Sequence, residues 1–477
     1  MTQLTKNPVE ALGLLKIDFL ALSNLNILDI AIREIEKETH APFNIAKVDL
    51  NDPATMQLFQ RAQTNGIFQF ESSGMKNMLR QLQPDHFEDL VAANALFRPG
   101  PMQFISNFIA RKHGREPIEV PDESIAELVA PTYGIIVYQE QVMRMAQQFA
   151  GFTLGEADLL RRAMSKKDLA KIEATKADFV RGAIALGHDE ATAIKVFSYV
   201  EPFAQYGFNR SHAVAYSKLA VQMAYLKTHY PLAFFKAVLN DTISDSKKVR
   251  EYIAEAKAAG VGLLGPNINE SWQGYSIHHN QLQMGLASIK GMRRDFREAI
   301  IATRQSNGAF KDLPDFINRL ENKFRKVELF EPLVWSGAFD VFTTNRQALY
   351  NSLQGFIDAA GLAGESMALF NTLAPKIRDI EDYAPSERLN LERETLGVYL
   401  SGHPIEQYVQ AIDGQYHQDI STLVVGQKGA KILLYVENVK VIRTKKGEQM
   451  AFVDGMDMTG NLSITVFARQ FLSLIHI

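Results

Sequence analysis

Apolar residues recur at helical spacing from about residue 50 to about 265, and apolar and polar residues alternate cleanly over 431–467. A chain so patterned must fold as a long helical body followed by a small antiparallel sheet. The body is broken at Arg98-Pro99-Gly100-Pro101, at Ala130-Pro131-Thr132-Tyr133-Gly134, at Tyr206-Gly207-Phe208-Asn209 and at Tyr230-Pro231. Two prolines flanking one glycine at 99–101 impose a stiff, non-helical turn. A length of 477 residues suggests about three domains.

Before the body, Leu14 to Leu20 alternates as a strand and Ile27 to Glu38 has the spacing of an amphipathic helix. From about 266 the elements shorten. Gly285 to Lys290 ends at the turn Gly291-Met292, a helix carries Phe296, Ile300 and Ile301, and Val327 to Trp335 is a short helix closed by Ser336-Gly337. Residues 359–395, rich in Ala, Gly and charge, read as a mobile connector. Ile432 to Arg443, Met450 to Met456 and Leu462 to Phe467 read as three strands, joined at Thr444-Lys445-Lys446-Gly447 and Thr459-Gly460-Asn461.

Composition removes several classes of function. The chain is 46% hydrophobic and 22% charged, as an ordinary globular protein is. Its net charge is 51 − 54 = −3, so any contact with nucleic acid must use local patches. With no cysteine there is no disulfide, thiolate zinc site, iron–sulfur cluster or cysteine nucleophile. No apolar run approaches the roughly 18 residues of a membrane span, and the N-terminus lacks the features of a signal peptide. The expectation is a cytoplasmic chain with no membrane partner.

Four groups of residues could carry chemistry. Asp18, opposite the apolar face of its strand, could hold a hard cation such as Mg²⁺, or could simply be solvated. Arg161, Arg162, Lys166 and Lys167 place four cations in seven residues. They suit a triphosphate, or make a solvated helix face. In Tyr206-Gly207-Phe208-Asn209-Arg210-Ser211-His212-Ala213-Val214-Ala215-Tyr216 a glycine turn delivers Arg210, Ser211 and His212 to a helix start that favours anions. The plainer reading is an N-cap by Ser211 and a packed histidine. Lys290, Arg293, Arg294 and Arg297, followed by Arg319, Lys323, Arg325 and Lys326, sit beside tight turns and could grip a phosphate backbone without reading bases, or form a charged surface. Lys440, Arg443, Lys445 and Lys446 on the strands would fit a barrel that binds single strands.

Several segments together resemble one family, the bacterial DNA polymerase III alpha subunits (C-family replicative polymerases). They are Gly13 to Leu20, Phe68-Gln69-Phe70-Glu71-Ser72, Phe97 to Pro101, Arg111-Lys112-His113-Gly114, Tyr133 to Gln141, Arg161 to Met164, Tyr206 to Tyr216, Ser336-Gly337-Ala338-Phe339-Asp340 and Leu396 to Pro404. They follow the family's order over nearly the whole chain. The resemblance implies a multidomain, mostly α fold with a small α/β palm remnant and a β (OB-fold) C-terminal piece. Residues 1–30 would be the end of the palm, 31–265 the fingers and 266–345 tandem helix-hairpin-helix elements. Residues 346–427 would be a connector with a clamp-binding peptide anchored by Leu369 and Phe370, and 428–477 an incomplete OB-fold.

The implied chemistry is two-metal nucleotidyl transfer, in which a primer end attacks a dNTP on a DNA template. Asp18 would be one of three Mg²⁺-holding aspartates, and Arg161, Arg162, Arg210, Ser211 and His212 would face the incoming dNTP. Lys290, Arg293, Arg294, Lys445 and Lys446 would contact primer–template DNA. The sliding clamp and other replisome subunits are the implied partners.

Some positions depart from the family's pattern. The Asp-x-Asp pair expected upstream of Asp18 does not occur in the 17 residues before it. The chain therefore reads as the middle of a longer polypeptide, inactive alone. A non-catalytic module binding primer–template and clamp is the alternative, and a poorly folding remnant a third reading. Arg210 stands where Lys is commoner, Ser165 where Gly is, and Ser366 where a clamp peptide has Gln. Gly291-Met292-Arg293 lacks a hairpin's second glycine.

Overall fold

The computed structural model describes all residues except 1–2, 16, 18–20, 166–168, 205–206, 365–366, 412–417, 424–425, 445–446 and 475–477. The fold is mostly helical, and its described residues contain two small three-stranded sheets.

The helical body is organised around Phe87–Leu96, which is buried from Asp89 to Leu96 on every side. Helix Arg210–His229 packs on it, and there Asn94 Nδ2 donates to Ser217 Oγ at 3.3 Å inside the core. Helix Pro231–Asp241 turns back at the Tyr230-Pro231 break and lies on Ser23–Thr39. The buried Lys227 ties these layers. Its ammonium donates to the carbonyls of Gln63 (3.0 Å) and Asn65 (2.7 Å) and to Glu255 (2.7 Å), on helix Ser246–Ala258. Burial lowers the Lys227 pKa, against the pull of Glu255. The break at 99–101 is as expected: Gly100 has φ +103° and a 3-10 turn, Pro101–Phe104, follows.

A second, separate apolar core lies within 125–200. Helices Gln139–Ala150, Leu154–Ser165, Leu169–Ala185 and Glu190–Ala204 enclose Phe149, Phe179 and Phe197. Gly182 allows two of these helices to touch, because a Cβ there would stand 2.1 Å from the Ala150 carbonyl oxygen.

Past 260, strands Leu263–Leu264, Ser276–His278 and Gln281–Gln283 form a sheet of one parallel and one antiparallel pair. Helices Arg294–Asn307, Leu313–Arg319 and Val327–Trp335 then bring Phe296 and Phe330 into a stack at 6.0 Å, with Phe316 edge-on to Phe330 at 5.4 Å. The last strands, Tyr435–Arg443, Gln449–Met456 and Asn461–Val466, form the expected meander, with a bulge between Val436 and Asn438.

Two expectations are corrected. Leu14, Leu15 and Ile17 are in no strand and lie exposed; the rest of that stretch, 16 and 18–20, is outside the described residues. A strand needs a neighbour for its amides, and no described strand pairs there. Residues 359–395 are not simply a connector. Helices Arg346–Ala363 and Pro385–Leu396 pack into the body, clamped by the fully buried Glu392. Glu392 accepts from Arg346 Nη1 at 2.9 Å and from the amides of Leu400 and Ser401 at 3.2 and 3.0 Å. Arg346 also forks onto Asp340 at 2.8 and 2.9 Å, which raises its pKa although burial opposes the charge.

Candidate functional site

The start of helix Arg210–His229 gathers four of the sequence motifs. The cap is Asn209, not Ser211. Its side-chain oxygen accepts from the His212 amide at 2.8 Å, and its Nδ2 donates to Glu140 at 3.2 Å. Asn suits this position because its short amide satisfies an orphan N–H of the first turn. Both Glu140 oxygens accept the Arg210 amide, at 3.1 and 3.0 Å. The preceding residues add a parallel bridge between Phe208 and Tyr138: Gln139 N–H donates to Phe208 O and Phe208 N–H to Val137 O, each at 2.9 Å. The bridge holds the helix start against Tyr133–Gln141.

A column of rings runs along this edge. The Arg98 guanidinium lies 3.4 Å over the Phe208 ring. Phe208 meets His212 edge-on at 5.3 Å, His212 lies 4.2 Å from Tyr216, and Tyr216 stacks on Phe68 at 5.2 Å. Ser211 and His212 are exposed, so the packed histidine of the plainer reading is not formed. The i, i+4 spacing does put His212 and Tyr216 on one face. Arg98 and Phe68, more than a hundred residues earlier, join them only through the tertiary fold.

Arg210 points its guanidinium to Glu88 at 2.7 Å, beside the Tyr138 ring at 5.8 Å. Arg161 and Arg162 share Asp158, Arg161 at 2.7 Å and Arg162 at 2.7 Å. The Arg161 hydrogen bond holds the Asp158 carboxyl below its ordinary range. Arg161 also donates to Gln139 Oε1 at 3.2 Å, at the start of helix Gln139–Ala150 and next to the bridge that holds the Arg210 helix start. The structure thus links Arg161 to the Arg210–His212 group through one side chain. Lys166 and Lys167 lie outside the described residues.

Beneath this edge lies a buried polar group that sequence reasoning missed. Lys112 pairs with Asp85 at 2.8 Å and with Asp89 at 2.5 Å, and the Tyr133 hydroxyl donates to Asp89 at 3.2 Å. Burial raises the Asp89 pKa, against the Lys112 ammonium. Burial and Asp89 push the Tyr133 phenol up to about 12. Asp85, His86 and Asp89 converge as a cation would require, but the Lys112 ammonium already occupies both carboxylates, so the group reads as a structural ion pair. Its only signal in the sequence was Lys112 inside Arg111-Lys112-His113-Gly114.

At the 260–349 turns the predicted cations separate into two sets. Arg319 and Arg325 cap main-chain carbonyls: Arg319 donates to Gly308 O at 2.7 Å, and Arg325 to Leu320 O at 3.1 Å. Lys290, Arg293 and Arg294 reach solvent around Gly291, whose φ is +82°. Arg293 rests on Asp295 at 2.6 Å and Arg294 on Glu298 at 2.7 Å, both exposed pairs that a phosphate could replace.

Phe370 is fully buried in the chain's own core, while its neighbour Leu369 is 44% exposed. Phe370 therefore does not stand ready on the surface as a peptide anchor. Asp18, Lys445 and Lys446 lie outside the described residues.

Comparison with known proteins gives the following. Residues 24–187 match the finger domain of the bacterial DNA polymerase III alpha subunit, and residues 260–349 match a helix-hairpin-helix motif. The DNA polymerase III subunit alpha of Bacillus subtilis (strain 168) is 39% identical over 485 residues, which cover 99% of this chain and 43% of the relative. That of Streptococcus pyogenes serotype M6 is 40% identical over 472 residues, with 99% and 44% covered. That of Staphylococcus aureus (strain MSSA476) is 38% identical over 473 residues, with the same coverage. The chain spans less than half the length of these relatives.

Proposed function

Because the chain is related over 99% of its length to bacterial DNA polymerase III alpha subunits, we propose that it supplies the nucleotide-facing and duplex-gripping parts of a template-directed DNA polymerase. The observation that carries this reading is the similarity over 99% of the chain, which takes in both the finger and the hairpin segments in order.

In this reading the exposed start of helix Arg210–His229 receives the dNTP. Arg210 exchanges Glu88 for phosphate oxygens, the exposed hydroxyl of Ser211 adds a donor, and the His212–Tyr216 face lies against the sugar or base. Arg161 and Arg162 approach from the facing helix and complete the charge on the triphosphate. Glu140 and Asn209 hold the backbone of the helix start in place, so that the Arg210 side chain alone has to leave Glu88 when the ligand arrives. Lys290, Arg293 and Arg294 grip the duplex backbone without reading sequence, since exposed cations at a turn offer charge and no base contact. Lys445 and Lys446 would extend that contact along the sheet.

Mg²⁺ is the expected metal, with Asp18 among its ligands. When bound it would stabilise the attacking and leaving oxygens. Among the described residues one group of three metal-ligating side chains converges, Asp85, His86 and Asp89, and its carboxylates are committed to Lys112. A hard, strongly hydrated ion needs several fixed oxygens, so these 477 residues alone are expected not to extend a primer. Template-dependent extension that disappears in Asp18→Ala would contradict that expectation. Contact with a sliding clamp through Leu369 and Phe370 would require Phe370 to leave its core.

Calorimetric titration of dTTP into the chain tests the nucleotide part. The expected result is binding that weakens by about tenfold in Arg210→Gln, the loss of one charge-assisted contact. Binding unchanged in Arg210→Gln and in His212→Ala, or absent at millimolar dTTP, would count against it.

A further inference from the structure

The loop at 62–71, just before helix Ser73–Leu82, is held in an unusual backbone. Ala62, Gly66 and Gln69 all have positive φ, at +54°, +74° and +62°. Gly66 is a natural occupant of such a position, but Gln69 meets a steric penalty that only glycine escapes. Such a conformation persists only where the surroundings over-determine it.

Buried side chains supply part of that constraint. Lys227 donates to the carbonyls of Gln63 and Asn65, and the Thr64 hydroxyl donates to Phe70 O at 2.6 Å. Ile67 and Phe70 are fully buried, and Phe70 meets Phe59 edge-on at 5.3 Å. The two residues between them are less enclosed. Phe68 and Gln69 border a cavity of about 130 Å³, whose wall also includes Asn24, Ile27 and Glu71. Space on that side leaves the tip of the loop to be fixed by hydrogen bonds.

Glu71 makes the bonds that do this. Its Oε2 accepts from the Gly66 amide at 3.0 Å and from the Tyr252 hydroxyl at 2.9 Å, while Lys248 approaches Oε1 at 3.4 Å. Tyr252, on helix Ser246–Ala258, is 3% exposed and so anchors the carboxylate from the core side. Glu71 thereby closes the turn 66–71 on itself, with Phe68 at its middle. Phe68 stacks on Tyr216 at 5.2 Å, and Tyr216 lies 4.2 Å from His212.

We propose that Glu71 is a positioning residue for nucleotide binding. Through the Gly66 amide and Tyr252 it fixes the turn that sets the Phe68 ring against Tyr216, and so fixes the His212–Tyr216 face. The role is carried by Phe68, and Glu71 itself need not reach the nucleotide. The proposal rests on the reading that this face receives the dNTP.

The test measures dTTP affinity of the full chain by calorimetry for Glu71→Ala, Glu71→Gln, Tyr252→Phe, Phe68→Ala and the double variant Glu71→Ala/Phe68→Ala, each below the onset of its thermal melt. Gln can keep a carbonyl oxygen where Oε2 stands and accept from both donors, so Glu71→Gln should bind like the parent chain. Glu71→Ala and Phe68→Ala should each weaken dTTP by about five- to tenfold, and Tyr252→Phe by less. The double variant should bind no more weakly than Phe68→Ala alone, because Glu71 acts through that ring. A merely structural Glu71 would lower the melting temperature and leave affinity unchanged, or would add its loss to that of Phe68→Ala. Either result overturns the proposal, as does a Glu71→Gln chain that binds as weakly as Glu71→Ala. Should Glu71→Ala not fold, Tyr252→Phe, which keeps the ring, carries the same comparison. Arg210→Gln separates two failures. If it weakens dTTP while Glu71→Ala does not, the positioning role alone falls; if the parent chain does not bind dTTP, the nucleotide reading falls and the positioning role with it.

Discussion

Asp52 shows how single side chains set the stability on which the helix starts depend. It caps helix Pro53–Gln60, accepting from the Thr55 amide at 2.8 Å and hydroxyl at 2.6 Å, and from His229 at 2.9 Å. Burial alone would raise its pKa, but these donors hold it below the ordinary carboxylate value. Its contribution is therefore complete above that ordinary value and is lost as pH falls below it. Asp52→Ala should cost about 1 kcal/mol at neutral pH. In urea melts the difference from the parent chain should shrink as the pH is taken below the carboxylate range; a difference that grows in acid would contradict this. Arg346→Met should cost roughly 3–5 kcal/mol, because it leaves Glu392 buried and uncompensated. At this scale the sequence disclosed residues that act in local pairs, such as His212 with Tyr216. It did not disclose Arg98 on Phe208, Lys112 on Asp89 or Arg346 on Glu392, since a single sequence carries no signal for contacts made across dozens of residues.

Elements were more legible than their partners. Val327–Trp335 forms as its apolar spacing requires, and the three late strands differ from expectation by at most a few residues at their ends. The stretch at 14–17 failed because alternation shows what a strand could bury but not whether a neighbouring strand exists. Residues 359–395 misled because Ala and charge look alike on a connector and on a closely packed helix. The Ser336-Gly337 turn shows why a short motif can be strict: Gly337 has φ +79°, and a Cβ there would stand 2.3 Å from Arg346 Nη2. Gly182→Ala is the corresponding test between helices. Overpacking against the Ala150 carbonyl should cost about 1–3 kcal/mol and loosen the 125–200 core. Hydrogen exchange in Leu169–Ala185 that is no faster than in the parent chain would exclude so close an approach.

At the scale of the molecule, the described residues form two apolar cores. The larger one joins the Arg210 helix start to the turns of 260–349, and the smaller one carries Arg161 and Arg162 on a unit of its own. Gln139 links this smaller unit to the helix start through Arg161. The hairpin cations sit on the large core, where a grip on a duplex would be rigid. Equilibrium binding of a primer–template duplex across a range of salt concentrations tests this account most directly. It predicts tight binding at low salt and a log–log slope that flattens by about 0.9 for each of Arg293→Gln and Arg294→Gln. No binding at low salt, or a slope indifferent to both substitutions, would contradict it.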